Sequence, residues 1–210
     1  MTNYRKLTSV LIALWFIFAL VASALHAFHN EPGQPPIAFG LAVLTPIVVF
    51  TLWFASSEPF RQFVLALNPG TLTTVQAWRI AGFVFLVLYT YSLLPAVLAL
   101  PAGWGDIVIG ATAPFVAMKL ANRDHRASFI LWQVFGILDL VSAVALGATA
   151  TLINPHAVAT DAMTILPLSL IPTFAVPLLL ILHVVCIAQA RRWKEQRYSG
   201  LGEQLPSSAS

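Results

Sequence analysis

One carboxylate, Asp139, lies in the middle of the apolar run FGILDLVSAV, residues 135–144. It comes about 16 Å along a helix from Ser128, the first residue of the long apolar segment around it. The hydrocarbon layer is about 30 Å thick, so this acid would sit near mid-bilayer, where insertion of an Asp costs about 2.5 to 3.5 kcal/mol. Small residues lie on the same side of the helix: Gly136, Ser142, Ala143 and Gly147. We therefore expect Asp139 to face other helices.

His183 is the nearest candidate partner of Asp139. It precedes Arg191 by about 12 Å of helix, so the depths of the two side chains differ by only about 4 Å. The same segment carries Ser169, Thr173 and Cys186, and its prolines would free backbone carbonyls. A buried Asp–His pair is typical of a proton relay or a ligand site. The alternative is an interhelical hydrogen bond that serves packing and contributes about 0.6 kcal/mol.

A second acid, Asp106, lies in the stretch LPAGWGDIVIGATAPFVA, residues 100–117. Its proline and glycines predict a tight turn after the third helix, so that Asp106 begins the fourth helix, where the helix dipole favours a carboxylate. Capping alone would account for this residue. If the fourth helix instead sinks into the bundle, Asp106 would face Asp139 from above, and His183 would complete a vertical series suited to protons or a small cation.

Three histidines are predicted on the outer side of the membrane, where they could form a metal site. His26 and His29 are one helical turn apart, and with His156 or Asp106 they could supply three or four ligands to a transition metal, or axial ligands to a haem. His26 and His183 lie near opposite faces and could not hold one iron together. The alternative is a set of solvated polar groups at the interface.

The elements that must position these side chains are membrane helices. Of the 210 residues, 59% are hydrophobic and 9% charged, against roughly 25% charged in an average soluble domain. Runs of about 20 apolar residues are long enough to cross a bilayer and must be helical there. The sequence predicts an all-α polytopic bundle with six such runs: 7–28, 37–56, 75–100, 107–121, 128–153 and 164–190.

The eleven basic residues predict the orientation, because short cytoplasmic loops retain Lys and Arg. They lie before helix 1, at the helix 2–3 connection, which Arg61 and Arg79 flank, in the helix 4–5 connection, and after helix 6, so both termini are expected in the cytoplasm. Their split distribution argues against nucleic-acid binding. Arg5 and Lys6, with the small residues Ala22 to Ala24, resemble a signal peptide, but the apolar stretch favours a retained anchor.

The chain is expected to form one membrane domain, residues 1–192, and a cytoplasmic tail, 193–210, disordered from about residue 200. Between helices 2 and 3 an apolar face predicts a short interfacial helix: Phe60, Phe63, Val64 and Leu67.

The segments LPAGWGD, FGILDL and LIPTFAVPLLLILH resemble a group of small, uncharacterised bacterial multi-helix membrane proteins, over residues 78–190. This resemblance implies a similar helical bundle and a location in the inner membrane of a bacterium. It implies no activity. We expect a protein that moves protons or a small solute through a polar intramembrane site in the lipid bilayer. A haem- or metal-binding redox protein and an assembly subunit are the alternatives, and the residues do not decide whether the chain is an enzyme.

Overall fold

The computed structural model describes residues 2–29, 37–153 and 160–202. Within these ranges the chain forms helices and turns and contains no strand. Six helical stretches are long and apolar enough to cross a membrane: Asn3–Ala24, Ile37–Ser56, Pro69–Thr90, Ala96–Lys119, Arg126–Ala150 and Ile171–Trp193. The predicted all-α bundle is therefore confirmed, and the chain is an integral membrane protein.

The helices are, in chain order, α1 (Thr2–Ala24), α2 (Ile37–Ser56), α3 (Glu58–Leu65), α4 (Pro69–Val75), α5 (Phe83–Thr90), α6 (Ala96–Lys119), α7 (Arg126–Ile153) and α8 (Val176–Gly202). Helix α8 continues into the predicted tail as far as Gly202, and residues 203–210, for which disorder is predicted, lie outside the described part of the chain.

The border between the third and fourth spans was predicted wrongly. The third span ends at Thr90, and α6 begins at Ala96. Between them the chain turns at Ser92, which has a φ of 57°, and Pro95 is extended. Pro101 and the glycines that follow it lie inside α6. A membrane helix tolerates such residues because neighbouring helices satisfy the freed backbone groups and small residues allow close packing.

The third span changes its helical type in its middle. A 3₁₀ segment, Gln76–Gly82, joins α4 to α5. Because a 3₁₀ helix has three residues per turn, Gln76, Arg79 and Gly82 are stacked on one face, and all three are buried. Gln76 Nε2 donates to Leu179 O of α8 at 3.2 Å, which ties this segment to the last span.

The last span begins with a π-helical turn, Ile171–Ala175. Pro177 has no N–H, so the Thr173 carbonyl loses its ordinary helical donor. Trp15 Nε1 of α1 donates to this carbonyl at 3.2 Å. The carbonyl freed by proline thus anchors the first span to the last.

The short helix predicted between the second and third spans is present as α3. Ser57 begins it, and its hydroxyl accepts from Phe60 N at 3.4 Å. Phe60 and Val64 are buried against Trp53 and Val185. Its apolar face is therefore covered at least in part by the protein, and its position at the membrane interface stays a prediction.

Candidate functional site

Arg79 lies at the centre of a charged cluster inside the bundle. Its Nε donates to Asp106 Oδ1 at 2.6 Å, and its Nη2 pairs with Asp139 Oδ2. Its Nη1 donates to Gly136 O at 3.2 Å and lies 3.4 Å from His183 Nε2. The single guanidinium of Arg79 thus contacts α6, α7 and α8. Its nitrogens donate to two different carboxylates, Nε to Asp106 and Nη2 to Asp139.

The four residues of this cluster share one depth. Arg79 is in the middle of the third span, Pro69–Thr90, and Asp106 is in the middle of the fourth, Ala96–Lys119. Asp139 and His183 are likewise near the centres of the fifth and sixth spans. These charges are as far from the bilayer surfaces as the helices allow, so their interactions with each other replace those with water.

The placement of Asp106 corrects the sequence interpretation in two respects. Asp106 does not begin a helix at the outer surface, because α6 starts ten residues earlier, at Ala96. It lies beside Asp139 at the same level, whereas the predicted vertical series put it above. Asp139 and His183 are brought together, but Arg79 is the group that contacts both.

His183 connects this cluster to a second set of polar side chains. Its Nδ1 lies 2.5 Å from Gln133 Oε1, and Gln133 Nε2 donates to Thr73 Oγ1 at 3.2 Å. Thr73 Oγ1 in turn donates to Pro69 O at 2.8 Å. Arg79 has donors alone, so Nε2 of His183 must be an acceptor and Nδ1 must carry the proton. The hydrogen bonds from Arg79 through His183 to Thr73 therefore fit a neutral imidazole.

Glycines make room for the charged groups. A Cβ added to Gly82 would overlap the Asp106 side chain, and one added to Gly105 would overlap the Asp139 carboxylate. At Gly136 it would overlap the His183 ring, and at Gly110 the backbone of Arg79 and Ile80. The close approach of three helices to the cluster therefore depends on the absence of side chains at these positions.

The cluster is sealed around the guanidinium and partly open at the carboxylates. The Arg79 side chain is 1% exposed, against 14% for Asp106 and 16% for Asp139. His183 and Gln133 are fully buried. The cation and the imidazole are therefore covered by protein, and the two carboxylates are the least covered groups of the cluster.

The predicted metal site is not assembled by the residues that the structure describes. His26 and His29 are exposed after the end of α1, and His156 lies outside the described residues. No group of three His, Cys, Asp or Glu side chains that could hold a metal ion occurs within the described ranges. His183 is an unsuitable haem ligand here because both of its ring nitrogens already have polar neighbours.

Arg79 is the central residue that sequence reasoning missed, because it was assigned to the cytoplasmic flank of the third helix. A signal was present: Thr73, Gln76 and Arg79 recur at every third position before Gly82. All four residues are buried. Gln133 was missed as well, and it lies one turn before Gly136 on the side of α7 that contacts His183.

A family model described as a domain of unknown function (DUF8737) matches residues 34–191. The chain therefore belongs to this family. The match contains all four residues of the charged cluster and excludes His26 and His29. Comparisons with curated proteins and with solved structures gave no match.

Proposed function

We propose that this member of the DUF8737 family moves protons, alone or together with a small solute, through the charged cluster of Arg79, Asp106, Asp139 and His183. One observation carries the proposal: a single buried guanidinium is shared by two carboxylates at mid-membrane. Intramembrane acids of this kind commonly belong to ion pathways and proton relays.

The charge balance explains why a proton would bind. With both acids ionised and His183 neutral, the described cluster carries one negative charge in excess. A net charge at the centre of a bilayer is costly. Protonation of either Asp106 or Asp139 makes the cluster neutral while the other acid keeps its pair with Arg79. The partly exposed carboxylates are suited to take up and release this proton.

Orientation and location belong to the same proposal. Ten basic residues remain for the topology argument after Arg79 is assigned to the interior. Those with described positions lie near one set of helix ends, as in Arg5, Arg61, Lys119 and Arg191. By the positive-inside rule both termini would lie in the cytoplasm. We assign the protein to the inner membrane of a bacterium by its resemblance to the small bacterial membrane proteins.

The test is to replace each acid singly, as Asp106→Asn and Asp139→Asn. Either change leaves one guanidinium with one carboxylate, so the variant should fold and reach at least half of the wild-type abundance in the membrane. Proton influx into proteoliposomes, driven by a potassium diffusion potential and followed with an internal pH dye, should fall at least tenfold. Empty liposomes give the background, and Lys119→Gln is the matched surface control.

The opposite pattern would reject proton movement in favour of an assembly subunit. In that case both Asn variants would lose abundance, and the wild-type protein would pass no more protons than empty liposomes do. An absorption spectrum and elemental analysis of the purified protein test the redox alternative separately. A Soret band or a stoichiometric metal would replace the proposal with a cofactor-binding function.

A further inference from the structure

A basic pocket lies where α2, α3 and the end of the last span meet, away from the charged cluster. It has a volume of about 670 Å³, within the usual range of about 300 to 1,000 Å³ for small-molecule sites. Its residues come from α2, α3 and the end of the last span: Phe54, Arg61, Leu65, Val184, Ile187, Ala188, Arg191 and Arg192. Three arginines in one pocket indicate an anionic occupant.

The pocket is divided into an apolar wall and a charged end. On α8, Val184, Ile187, Ala188 and Arg191 follow at i, i+3, i+4 and i+7, so they form one stripe that runs from hydrocarbon depth to the end of the span. Val184 is 50% exposed. Phe54, near the end of α2, and Leu65 of α3 extend the apolar wall on the facing side.

The charges at the end of the pocket do not cancel. Arg61 pairs with Glu58, one turn earlier on α3. Among the side chains that the structure describes, Arg191 and Arg192 have no carboxylate partner, and both are exposed. The described part of the pocket therefore keeps two positive charges at the depth of the lipid headgroups.

We propose that this pocket binds one anionic phospholipid of the surrounding leaflet. Its phosphate would contact the guanidinium groups of Arg191 and Arg192, and an acyl chain would lie along Val184, Ile187 and Phe54. Arginine suits this role because its planar fork can donate two hydrogen bonds to one phosphate. Basic pockets between membrane helices recognise anionic lipid headgroups in this way. A free phosphate ion would leave the apolar wall unused.

The experiment is native mass spectrometry of the delipidated full-length protein in detergent, titrated with dioleoyl phosphatidylglycerol and, as the neutral match, dioleoyl phosphatidylcholine. The wild type should prefer the anionic lipid. Each arginine near an anionic lipid changes affinity roughly fivefold, so Arg191→Gln with Arg192→Gln should weaken phosphatidylglycerol binding about 25-fold. Lys119→Gln removes one charge at the same end of the bundle, outside the pocket, and should leave binding unchanged.

Three results would overturn the proposal: equal binding of the two lipids, an unchanged affinity in the double variant, or displacement of phosphatidylglycerol by 10 mM inorganic phosphate. Both arginines are exposed and lie at the end of the last span, so the double variant should elute from size exclusion as the wild type does. If it aggregates, the two single variants are measured instead, and each should weaken binding about fivefold. Unchanged affinity in both single variants would equally reject the site.

Discussion

The first two spans and the last four are built on different principles. In the most apolar windows of the first and second spans, 17% and 6% of the residues are buried within the chain, against 28%, 39%, 22% and 44% in the third to sixth spans. Most of the outward-facing residues in the apolar parts of α1 and α2 are aliphatic or aromatic, such as Leu14, Phe18, Leu44 and Leu52. These two helices need little contact with the protein because lipid solvates them equally well.

The charged cluster cannot use lipid in this way. Arg79 and its partners need each other, and the glycines that let the helices approach them are at fixed positions in the third, fourth and fifth spans. Hydrophobicity therefore holds a segment in the membrane, whereas hydrogen bonds and close packing determine which helices meet. Substitutions should be far more costly around the cluster than on α1 and α2.

Replacing Arg79 should have the largest effect. Arg79→Met leaves two carboxylates facing each other without a cation, and breaking a buried ion pair from one side costs about 3 to 5 kcal/mol. We expect a loss of this size in the free energy of unfolding, measured by SDS titration in mixed micelles. Arg61→Met, at a partly exposed ion pair, should change it by less than about 1 kcal/mol. Equal losses in the two variants would mean that the ion pairs of the cluster contribute no more to stability than an ion pair at the surface.

Gly105→Ala tests the difference between the two regions with a single added methyl group. Its Cβ would overlap the Asp139 carboxylate, and overpacking of this kind costs about 1 to 3 kcal/mol. The matched control is Gly40→Ala on α2, where nothing lies within 4 Å of the added Cβ. The control should unfold at or above the wild-type SDS concentration. A tolerated Gly105→Ala would show that the contact between α6 and α7 is loose.

The sequence predicted those parts of the fold that depend on hydrophobic length. The second span was predicted at 37–56 and found at Ile37–Ser56, and the fifth was misplaced by two residues at its start. The border after the third span failed because Pro101 and the glycines beside it were interpreted as a turn. In water these residues interrupt helices, but in α6 they allow a close approach to Gly82 and Leu86.

The site was harder to predict because it depends on contacts between distant segments. Asp139 could be singled out since an acid in an apolar run needs partners. Arg79 was not, because a basic residue near a span border is ordinarily a topology signal. The misplaced third span put it close to a border, whereas the true span, Pro69–Thr90, has Arg79 at its centre. One error in helix boundaries thus concealed both Arg79 and the depth of Asp106.

Gln133→Leu should have an intermediate effect. It removes the acceptor of His183 Nδ1 and the donor to Thr73 Oγ1, and leaves a buried imidazole N–H without a partner. The expected loss is about 1 kcal/mol in the free energy of unfolding. Thr51→Val on α2 is the control, since its hydroxyl donates to Ile47 O of the same helix and is exposed. If the two variants lose equally, the polar chain from His183 to Thr73 contributes nothing beyond local bonds.

The smallest effect is expected where the two regions meet, at Trp15. Trp15→Phe keeps an aromatic ring against Phe174 but removes the donor to the Thr173 carbonyl that Pro177 leaves free. Interhelical hydrogen bonds in membranes contribute about 0.6 kcal/mol on average, so the SDS midpoint should shift slightly. Phe16→Leu, which changes a ring contact with Phe174 and no hydrogen bond, separates the two contributions. The hydrogen bond of Trp15 joins α1 to the last span, which also carries His183 of the cluster. A loss above about 2 kcal/mol in the free energy of unfolding would exceed what one such bond contributes. It would mean that the first span belongs to the tightly packed region with the last four spans.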